Sequence, residues 1–408
     1  MLPNTVLGLC ASLSMLPLSG AAFPHNDYNP ATALETPEGD NSQLQYTNYL
    51  DDEGAYQPSH PQPRRTCTHE EATVRREWSD MERADRLSFI AAVQCMKTRP
   101  SQHPAGLIPA AESYYDDLTA VHINSSFTIH FSGLFLSWHR RLVHIFEEAL
   151  YDCGYHRELG TPYWDWTRTS ADILGAAMFD VEGDAEASLG GNGEWDPDAG
   201  AIALGKNGFL PRGTGGGCVT SGPFANETIR FGPFPGSILA QGHLPLNWTQ
   251  PNERCATRDL NPIVSRDSLN STFTEQLLAV DSISEIQSLL TPPDFGLDFL
   301  GLHRAGHCAL GQPLADFFGS PQDASVLPFL VVFYLHHAQV DRMWATWQDA
   351  DPAARRFAYN GTSTIFNPVG VTPEVNNATV MHFGVLAPPM TLGEGMDPMA
   401  GMYCYRYE

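Results

Sequence analysis

Six histidines form two groups of three, and each group lies beside an apolar segment whose spacing predicts a helix. The groups are His122, His130 and His139, and His303, His307 and His337. No cysteine or carboxylate is spaced to complete a tetrahedral site with either group. Three neutral imidazoles suit a metal ion that must keep an open face for a small ligand such as dioxygen. The two groups therefore predict two metal ions.

The second group has the spacing of a shared metal site. His303 and His307 are four residues apart, which on a helix separates them by about 40° around the axis. Both imidazoles can therefore reach one ion. On its own such a pair is weak support, because two unrelated histidines at this spacing are common.

The third member of this group comes from an apolar helical segment that holds two adjacent histidines. His336 and His337 point about 100° apart on a helix, so only one of them can bind the same ion. The residues alone leave the choice open. Asp341, one turn after His337, could orient an imidazole or pair with Arg342.

The first group requires a break in the helix. His130 and His139 are nine residues apart, which places them on opposite sides of one continuous helix. They can share a metal ion only if His130 precedes a helix that carries His139. Ser132 and Gly133 make such a break plausible, and His122 must then come from the preceding segment.

Composition excludes some classes of partner. The chain has 408 residues and a formal net charge of −24, with an isoelectric point near 4.8. Such an acidic chain is a poor ligand for nucleic acid or an anionic membrane surface. We expect neither as a partner, and the oligomeric state stays open.

Several features predict export and a single catalytic domain. Residues 1–22 read as a secretory signal peptide, residues 23–65 as an extended arm or propeptide, and residues 66–408 as the domain. We therefore expect a secreted glycoprotein. The predicted glycosylation sites are Asn124, Asn226, Asn247, Asn270, Asn360 and Asn377.

The cysteine count predicts disulfides and one free thiol. Removal of the leader also removes Cys10 and leaves seven cysteines, so at least one is unpaired. We expect Cys308, directly after a candidate metal ligand, to be the free one. The pairing of the others stays open.

Three motifs carry a resemblance to a known family. F-L-x-W-H-R at Phe135–Arg140, P-Y-W-D-W at Pro162–Trp166 and H-H-A-Q-V-D-R at His336–Arg342 resemble the tyrosinase family, and especially the short secreted fungal tyrosinases and catechol oxidases. The similarity covers about Cys67 to Tyr407. It implies a mainly α fold, in which a four-helix bundle holds a type-3 dicopper centre among long irregular loops and few short strands.

The resemblance also implies ligands and a reaction. Copper A would be bound by His122, His130 and His139, and copper B by His303, His307 and His337. The family pattern places the ligand four residues before the aspartate, which selects His337 over His336. The implied activity is oxidation of ortho-diphenols, or similar aminophenols, to quinones by dioxygen.

Some positions depart from the family pattern in ways that bear on substrate. Arg304 follows His303 where strong monophenolases tend to carry asparagine, so we expect weak activity on monophenols. Thr128 stands where several relatives carry a cysteine bonded to a ligand histidine, so that thioether cannot form. Phe317 or Phe318 occupies the place of a bulky residue over copper A and would favour diphenols.

An apolar insertion, Ala324–Leu330, lies between Asp323 and the segment that carries His337. The site survives if the helix that carries His337 begins at Val331 or later. If the insertion shifts that helix, copper B is damaged and the chain is an inactive relative. The histidine groups are also compatible with a dioxygen carrier or a zinc-dependent hydrolase. A di-iron carboxylate site is disfavoured because no Glu-x-x-His pair accompanies the histidines.

Overall fold

The structure, a computed structural model, describes residues 67–198, 202–203, 209–234, 243–292, 299–311, 331–365 and 372–408. The predicted signal peptide and arm lie outside these ranges, as do Phe317, Phe318 and the insertion Ala324–Leu330. Their predictions therefore stay predictions. The helix that carries His337 begins at Val332, after the last residue of the insertion, so the condition for an intact second group is met.

The described chain is mainly helical with a few short strands, as predicted. The helices are α1 (Arg83–Thr98), α2 (Tyr114–Ile129), α3 (Phe135–Asp152), α4 (Trp166–Thr169), α5 (Pro262–Ser268), α6 (Ser271–Ala279), α7 (Ile283–Leu290), α8 (Leu302–Ala309), α9 (Val332–Ala350) and α10 (Pro352–Arg355). The strands are β1 (Thr73–Arg75), β2 (Ile202–Ala203), β3 (Phe209–Leu210), β4 (Thr228–Ile229), β5 (Arg254–Cys255), β6 (Val380–Met381), β7 (Met390–Thr391) and β8 (Tyr405–Tyr407).

Local signals explain where the helices start. Ser113 caps α2 in a capping box with Asp116, and Ser282 caps α7 with Glu285 in the same way. Each box satisfies backbone N–H groups of the first turn that have no partner inside the helix. The cap at Ser282 also separates α7 from α6, within a segment, residues 274–290, that has helical spacing.

Four helices form the core that positions the histidines. Helix α3 packs against α1, α2 and α9, and helix α8 packs against α9 and α5. The contact between α3 and α9 includes a parallel stack of Phe146 on Tyr334, with ring centroids 3.8 Å apart. Helices α2, α3, α8 and α9 are the predicted four-helix bundle. They carry five of the six predicted ligands, and the sixth, His130, is the C-cap residue of α2.

The two ends of the described chain are joined. Strand β1 pairs with β8 in parallel, with Thr73 opposite Tyr405, and a disulfide links Cys67 to Cys404. The other strands form antiparallel pairs, β2 with β3, β4 with β5 and β6 with β7. The β1–β8 ribbon therefore fixes the amino-terminal and carboxyl-terminal segments against the helical core.

Three disulfides account for six of the seven cysteines in the described ranges. Besides Cys67–Cys404, they are Cys95–Cys153, which ties α1 to the end of α3, and Cys218–Cys255. Cys308 is free and buried, which confirms the predicted free thiol. Burial raises the pKa of its thiol to about 12, so this cysteine is a neutral apolar packing group at ordinary pH.

The Cys67–Cys404 disulfide should contribute measurably to stability. It joins residues 337 positions apart, and a long closed loop restricts the unfolded chain strongly. We expect the double variant Cys67→Ser, Cys404→Ser to lose about 2–4 kcal/mol of unfolding free energy in urea titrations. Unchanged stability would show that the β1–β8 ribbon holds the ends without the covalent link.

The predicted glycosylation sites differ in exposure. The side chains of Asn226, Asn247, Asn360 and Asn377 are exposed, whereas Asn124 and Asn270 are partly buried. Glycosylation stays a prediction at each. None of the helices in the described ranges is both long and apolar enough to span a bilayer.

Candidate metal centre

A tight turn brings His130 and His139 to the same side of the core. Helix α2 ends at Ile129 and His130 is its C-cap residue. Phe131 then takes a left-handed conformation with φ of 45°, and α3 begins at Phe135. A Cβ atom on Gly133 would lie 2.7 Å from the carbonyl oxygen of Asn360, so only glycine fits there. The helix break that the nine-residue spacing requires is confirmed.

The first group converges on one point. His122, His130 and His139 are buried, and one ring nitrogen from each lies within 4.8 Å of the others. The Nε2 atoms of His122 and His139 are 3.4 Å apart. A cation shared by these nitrogens would account for their close approach.

Backbone carbonyls orient two of these rings. The Nδ1 atom of His130 lies 2.9 Å from the carbonyl oxygen of Ser126, and the Nδ1 atom of His139 lies 2.8 Å from that of Phe135. A carbonyl can only accept, so each Nδ1 carries the proton and donates it. Each Nε2 is then left with its lone pair, which is the form that a metal ion binds.

The second group also converges. The Nε2 atoms of His303 and His307 on α8 lie 3.0 Å apart. Ring nitrogens of His303, His307 and His336 lie within 4.8 Å of one another. Distance alone would therefore make His336 the third member.

The hydrogen bonds of His336 contradict that choice. The indole N–H of Trp166 donates to Nδ1 of His336 at 3.0 Å. The Nε2 atom of His336 lies 2.9 Å from the carbonyl oxygen of His303, so Nε2–H is the donor there. With one nitrogen donating and the other accepting, no lone pair remains for a metal ion.

His337 lies between the two groups. Its ring stacks on that of His139 with centroids 4.4 Å apart and planes 11° apart. Its centroid is 5.0 Å from that of His303 and 5.5 Å from that of His307. The two groups are therefore parts of one continuous buried site, and His337 joins them.

Two phenylalanines, which the sequence reasoning missed, lie against both groups. Phe333 has ring centroids 4.3 Å from His337 and 5.1 Å from His122. Phe135 lies 4.9 Å from His139 and 4.7 Å from His303. Each stands four residues before a histidine, a helical spacing that signals contact. These rings restrict the imidazoles and keep water away from them.

The partners of Asp341 differ from those predicted. Rather than orienting an imidazole or pairing with Arg342, its carboxylate accepts from Arg140 Nε at 2.6 Å and from Arg75 at 3.3 Å. It also accepts from the hydroxyls of Tyr405 and Tyr407, each at 2.6 Å. Arg342 pairs instead with Asp165. Asp341 therefore ties the helix of His337 to the β1–β8 ribbon.

Burial and charge act on Asp341 in opposite directions. Burial raises the pKa of its carboxyl, but the Arg140 and Arg75 guanidiniums and the two tyrosine hydroxyls outweigh burial and hold the pKa below its usual value. Glu147 in the same network behaves alike, because Arg75 and His144 lower the pKa of this buried carboxyl to about 2. Both groups are therefore ionised across the ordinary pH range.

Two further sequence predictions concern residues beside the ligands. Arg304 is buried, and its Nε donates to the carbonyl oxygen of Leu300 at 2.8 Å. Thr128 is exposed, and its hydroxyl donates to the Ser125 carbonyl oxygen at 2.8 Å.

The donor set fits two copper ions. In the part of the chain that the structure describes, the clusters of three or more potential metal ligands consist of buried histidines alone. Hard ions such as Mg²⁺ and Ca²⁺ prefer oxygen ligands, whereas neutral imidazoles suit copper and zinc, and copper binds more tightly. The two groups fit a type-3 dicopper centre.

Comparison with known proteins gives the same assignment. The family model for the common central domain of tyrosinase matches residues 112–350. Tyrosinase P of Aspergillus terreus is 42% identical over 343 residues, which cover 82% of this chain and 91% of the relative. An N-acetyl-6-hydroxytryptophan oxidase of Emericella nidulans is 38% identical over 355 residues, which cover 84% and 94%.

A solved structure also matches. A polyphenol oxidase variant from Thermothelomyces thermophila superposes with a TM-score of 0.74 and 33% identity, over 90% of this chain and 95% of that one. The chain belongs to the tyrosinase family. It is a copper oxidoreductase of that family, whose enzymes use dioxygen and phenolic substrates, and not a zinc hydrolase.

Proposed function

We propose that this chain is a secreted oxidase that converts ortho-diphenols and ortho-aminophenols to quinones and quinone imines, and acts only weakly on monophenols. The observation that carries the proposal is the stack of His139 on His337, at 4.4 Å. It joins the two histidine groups, so two metal ions held there can act on one substrate. The three disulfides support an oxidising, extracellular location.

The proposed ligands follow from the hydrogen bonds. Copper A is held by His122, His130 and His139, and copper B by His303, His307 and His337. His337 is preferred to His336 because Trp166 and the His303 carbonyl engage both nitrogens of His336. The four-residue interval between His337 and Asp341 agrees with the family pattern.

Two copper ions in this site would transfer electrons from the phenol to dioxygen. Each diphenol loses two electrons and two protons, so two diphenols are oxidised for each dioxygen reduced to two molecules of water. The chain holds the imidazoles in place through the carbonyls of Ser126 and Phe135. Phe135 and Phe333 limit the access of water to the site.

Arg304 supports a preference for diphenols over monophenols. Hydroxylation of a monophenol first requires its deprotonation and precise placement, whereas a diphenol needs only to release electrons and protons. Strong monophenolases tend to carry asparagine where this chain has Arg304, whose guanidinium is buried against Leu300. The relative named as an N-acetyl-6-hydroxytryptophan oxidase supports a substituted hydroxyaromatic compound as the substrate. That compound carries one ring hydroxyl, so the preference for diphenols depends on Arg304 alone.

Oxygen uptake tests this proposal. We expect the copper-loaded protein to oxidise 4-methylcatechol and 2-aminophenol more than about tenfold faster than 4-methylphenol, a difference of about 1.4 kcal/mol in barrier. Removal of copper should abolish uptake, and Cu²⁺ but not Zn²⁺ should restore it. Equal rates on 4-methylphenol would overturn the preference. A fully loaded protein without uptake would point to a dioxygen carrier or an inactive relative.

A further inference from the structure

His336 is held from both sides although it is not a proposed ligand. Trp166 donates to its Nδ1 atom at 3.0 Å, and its Nε2–H donates to the carbonyl oxygen of His303 at 2.9 Å. Both His336 and Trp166 are fully buried. One hydrogen bond therefore fixes the tautomer of His336, and the other connects that ring to the backbone of a proposed ligand.

The space around His336 is closed. A Cβ atom on Gly306 would lie 2.1 Å from Cε1 of His336, so the ring fits against α8 only because residue 306 is glycine. The ring also stacks parallel to that of His303, with centroids 5.4 Å apart, and lies edge-on to that of His307 at 4.4 Å. His336 thus touches both proposed ligands that α8 supplies to copper B.

We propose that Trp166 and His336 form a chain of hydrogen bonds that positions the histidine ligands of copper B. We call this chain the relay. This inference rests on the proposed ligand set. Because Nδ1 accepts the Trp166 indole N–H, the proton of His336 must stay on Nε2, where it holds the His303 carbonyl. That bond sets the distance between α8 and α9, and hence the positions of His303 and His307 relative to His337.

The relay explains why His336 lies close to the second group without completing it. For His336 to become a ligand, it would have to give up one of its hydrogen bonds. If Nδ1 became the ligand, the buried indole N–H of Trp166 would lose its acceptor. If Nε2 did, the carbonyl of His303 would lose the donor that connects it to α9. His337 lies beside the same two histidines and the first group as well.

A matched pair of tryptophan variants tests the relay. Trp164 is also fully buried, but its indole donates to the Thr169 hydroxyl at 2.7 Å. Trp166→Phe and Trp164→Phe therefore each remove one indole hydrogen bond and preserve an aromatic ring. We expect Trp166→Phe to lower the affinity for one of the two copper ions about tenfold in titrations against a competing chelator. Trp164→Phe should leave the affinity for both ions unchanged.

Variants of His336 add a second comparison. His336→Gln retains an N–H donor for the His303 carbonyl, whereas His336→Leu does not. We expect copper B to bind more tightly in His336→Gln than in His336→Leu, with two copper ions bound to both variants at saturating copper. At sub-saturating copper, the electron paramagnetic resonance spectrum of His336→Leu should therefore show a larger fraction of singly loaded sites. Thermal unfolding of the metal-free proteins reports separately on packing.

Two results would overturn the relay. One is wild-type affinity for both copper ions in Trp166→Phe. The other is equal weakening in Trp164→Phe, which would mean that packing alone is at stake. A wild-type protein that binds two copper ions but does not oxidise 4-methylcatechol would instead contradict the proposed function. It would not contradict the relay.

Discussion

Replacement of His337 by alanine is expected to remove one of two copper ions and to slow diphenol oxidation about a thousandfold, or about 4 kcal/mol in the barrier. The reason is its place in the site. The ring of His337 contacts the ring of His139 from the first group, at 4.4 Å, and that of His303 from the second, at 5.0 Å. Elemental analysis and oxygen uptake on the same sample measure both effects.

Two further alanine variants serve as controls. His144 lies on α3 beside Glu147, at 3.6 Å, away from the proposed ligands, and His144→Ala should keep two copper ions and most of the activity. His336→Ala should weaken copper B without removing it. If His337→Ala keeps two copper ions while His336→Ala loses one, the third ligand is His336 and the present assignment is wrong.

Replacement of Asp341 by alanine is expected to destabilise the protein by about 3–5 kcal/mol. Asp341 is fully buried and is the shared acceptor for Arg75, Arg140, Tyr405 and Tyr407. Without it, the buried guanidinium of Arg140 keeps only neutral acceptors. Urea titration of the metal-free protein measures the change separately from copper binding.

A surface carboxylate provides the control for Asp341. Asp267 pairs with Arg266, and both side chains are more than half exposed, at 56% and 62%. Exposed ion pairs contribute little, so Asp267→Ala should change the unfolding free energy by less than about 0.5 kcal/mol. Equal effects of the two substitutions would contradict the structural role assigned to Asp341.

The same network predicts how stability depends on pH. Arg75 and His144 outweigh burial and lower the pKa of Glu147 to about 2, and the pKa of Asp341 is also lowered. A carboxyl whose pKa is lower in the folded state stabilises the protein fully above its unfolded pKa, about 4. That stability is lost as the pH falls from about 4 towards 2, and the loss should be smaller in Glu147→Gln.

Much of the site could be predicted because helix geometry restricts where side chains point. The four-residue interval of His303 and His307 and the nine-residue interval of His130 and His139 each allow few arrangements. Both expected arrangements are present, with α8 carrying one pair and a turn at Phe131 separating the other. The odd cysteine count predicted a free thiol, and the position of Cys308 directly after a candidate metal ligand selected it.

Other features depend on contacts that sequence spacing cannot show. Arg75 and Asp341 are 266 positions apart, and Tyr407 and Asp341 are 66 apart. These residues meet only in the folded chain, so local spacing could not identify the partners of Asp341. The choice between His336 and His337 depends likewise on Trp166, 170 positions before His336. The start of α7 after Ser282 could have been found, since Ser282 and Glu285 form a capping box.

Metal content per chain is the most direct test of the dicopper assignment. The purified protein would be equilibrated with equal concentrations of copper and zinc, freed of unbound metal and analysed for both. The two histidine groups predict two copper ions and no zinc per chain, because imidazole sites bind copper more tightly. One copper ion or none, or zinc in its place, would contradict the dicopper centre.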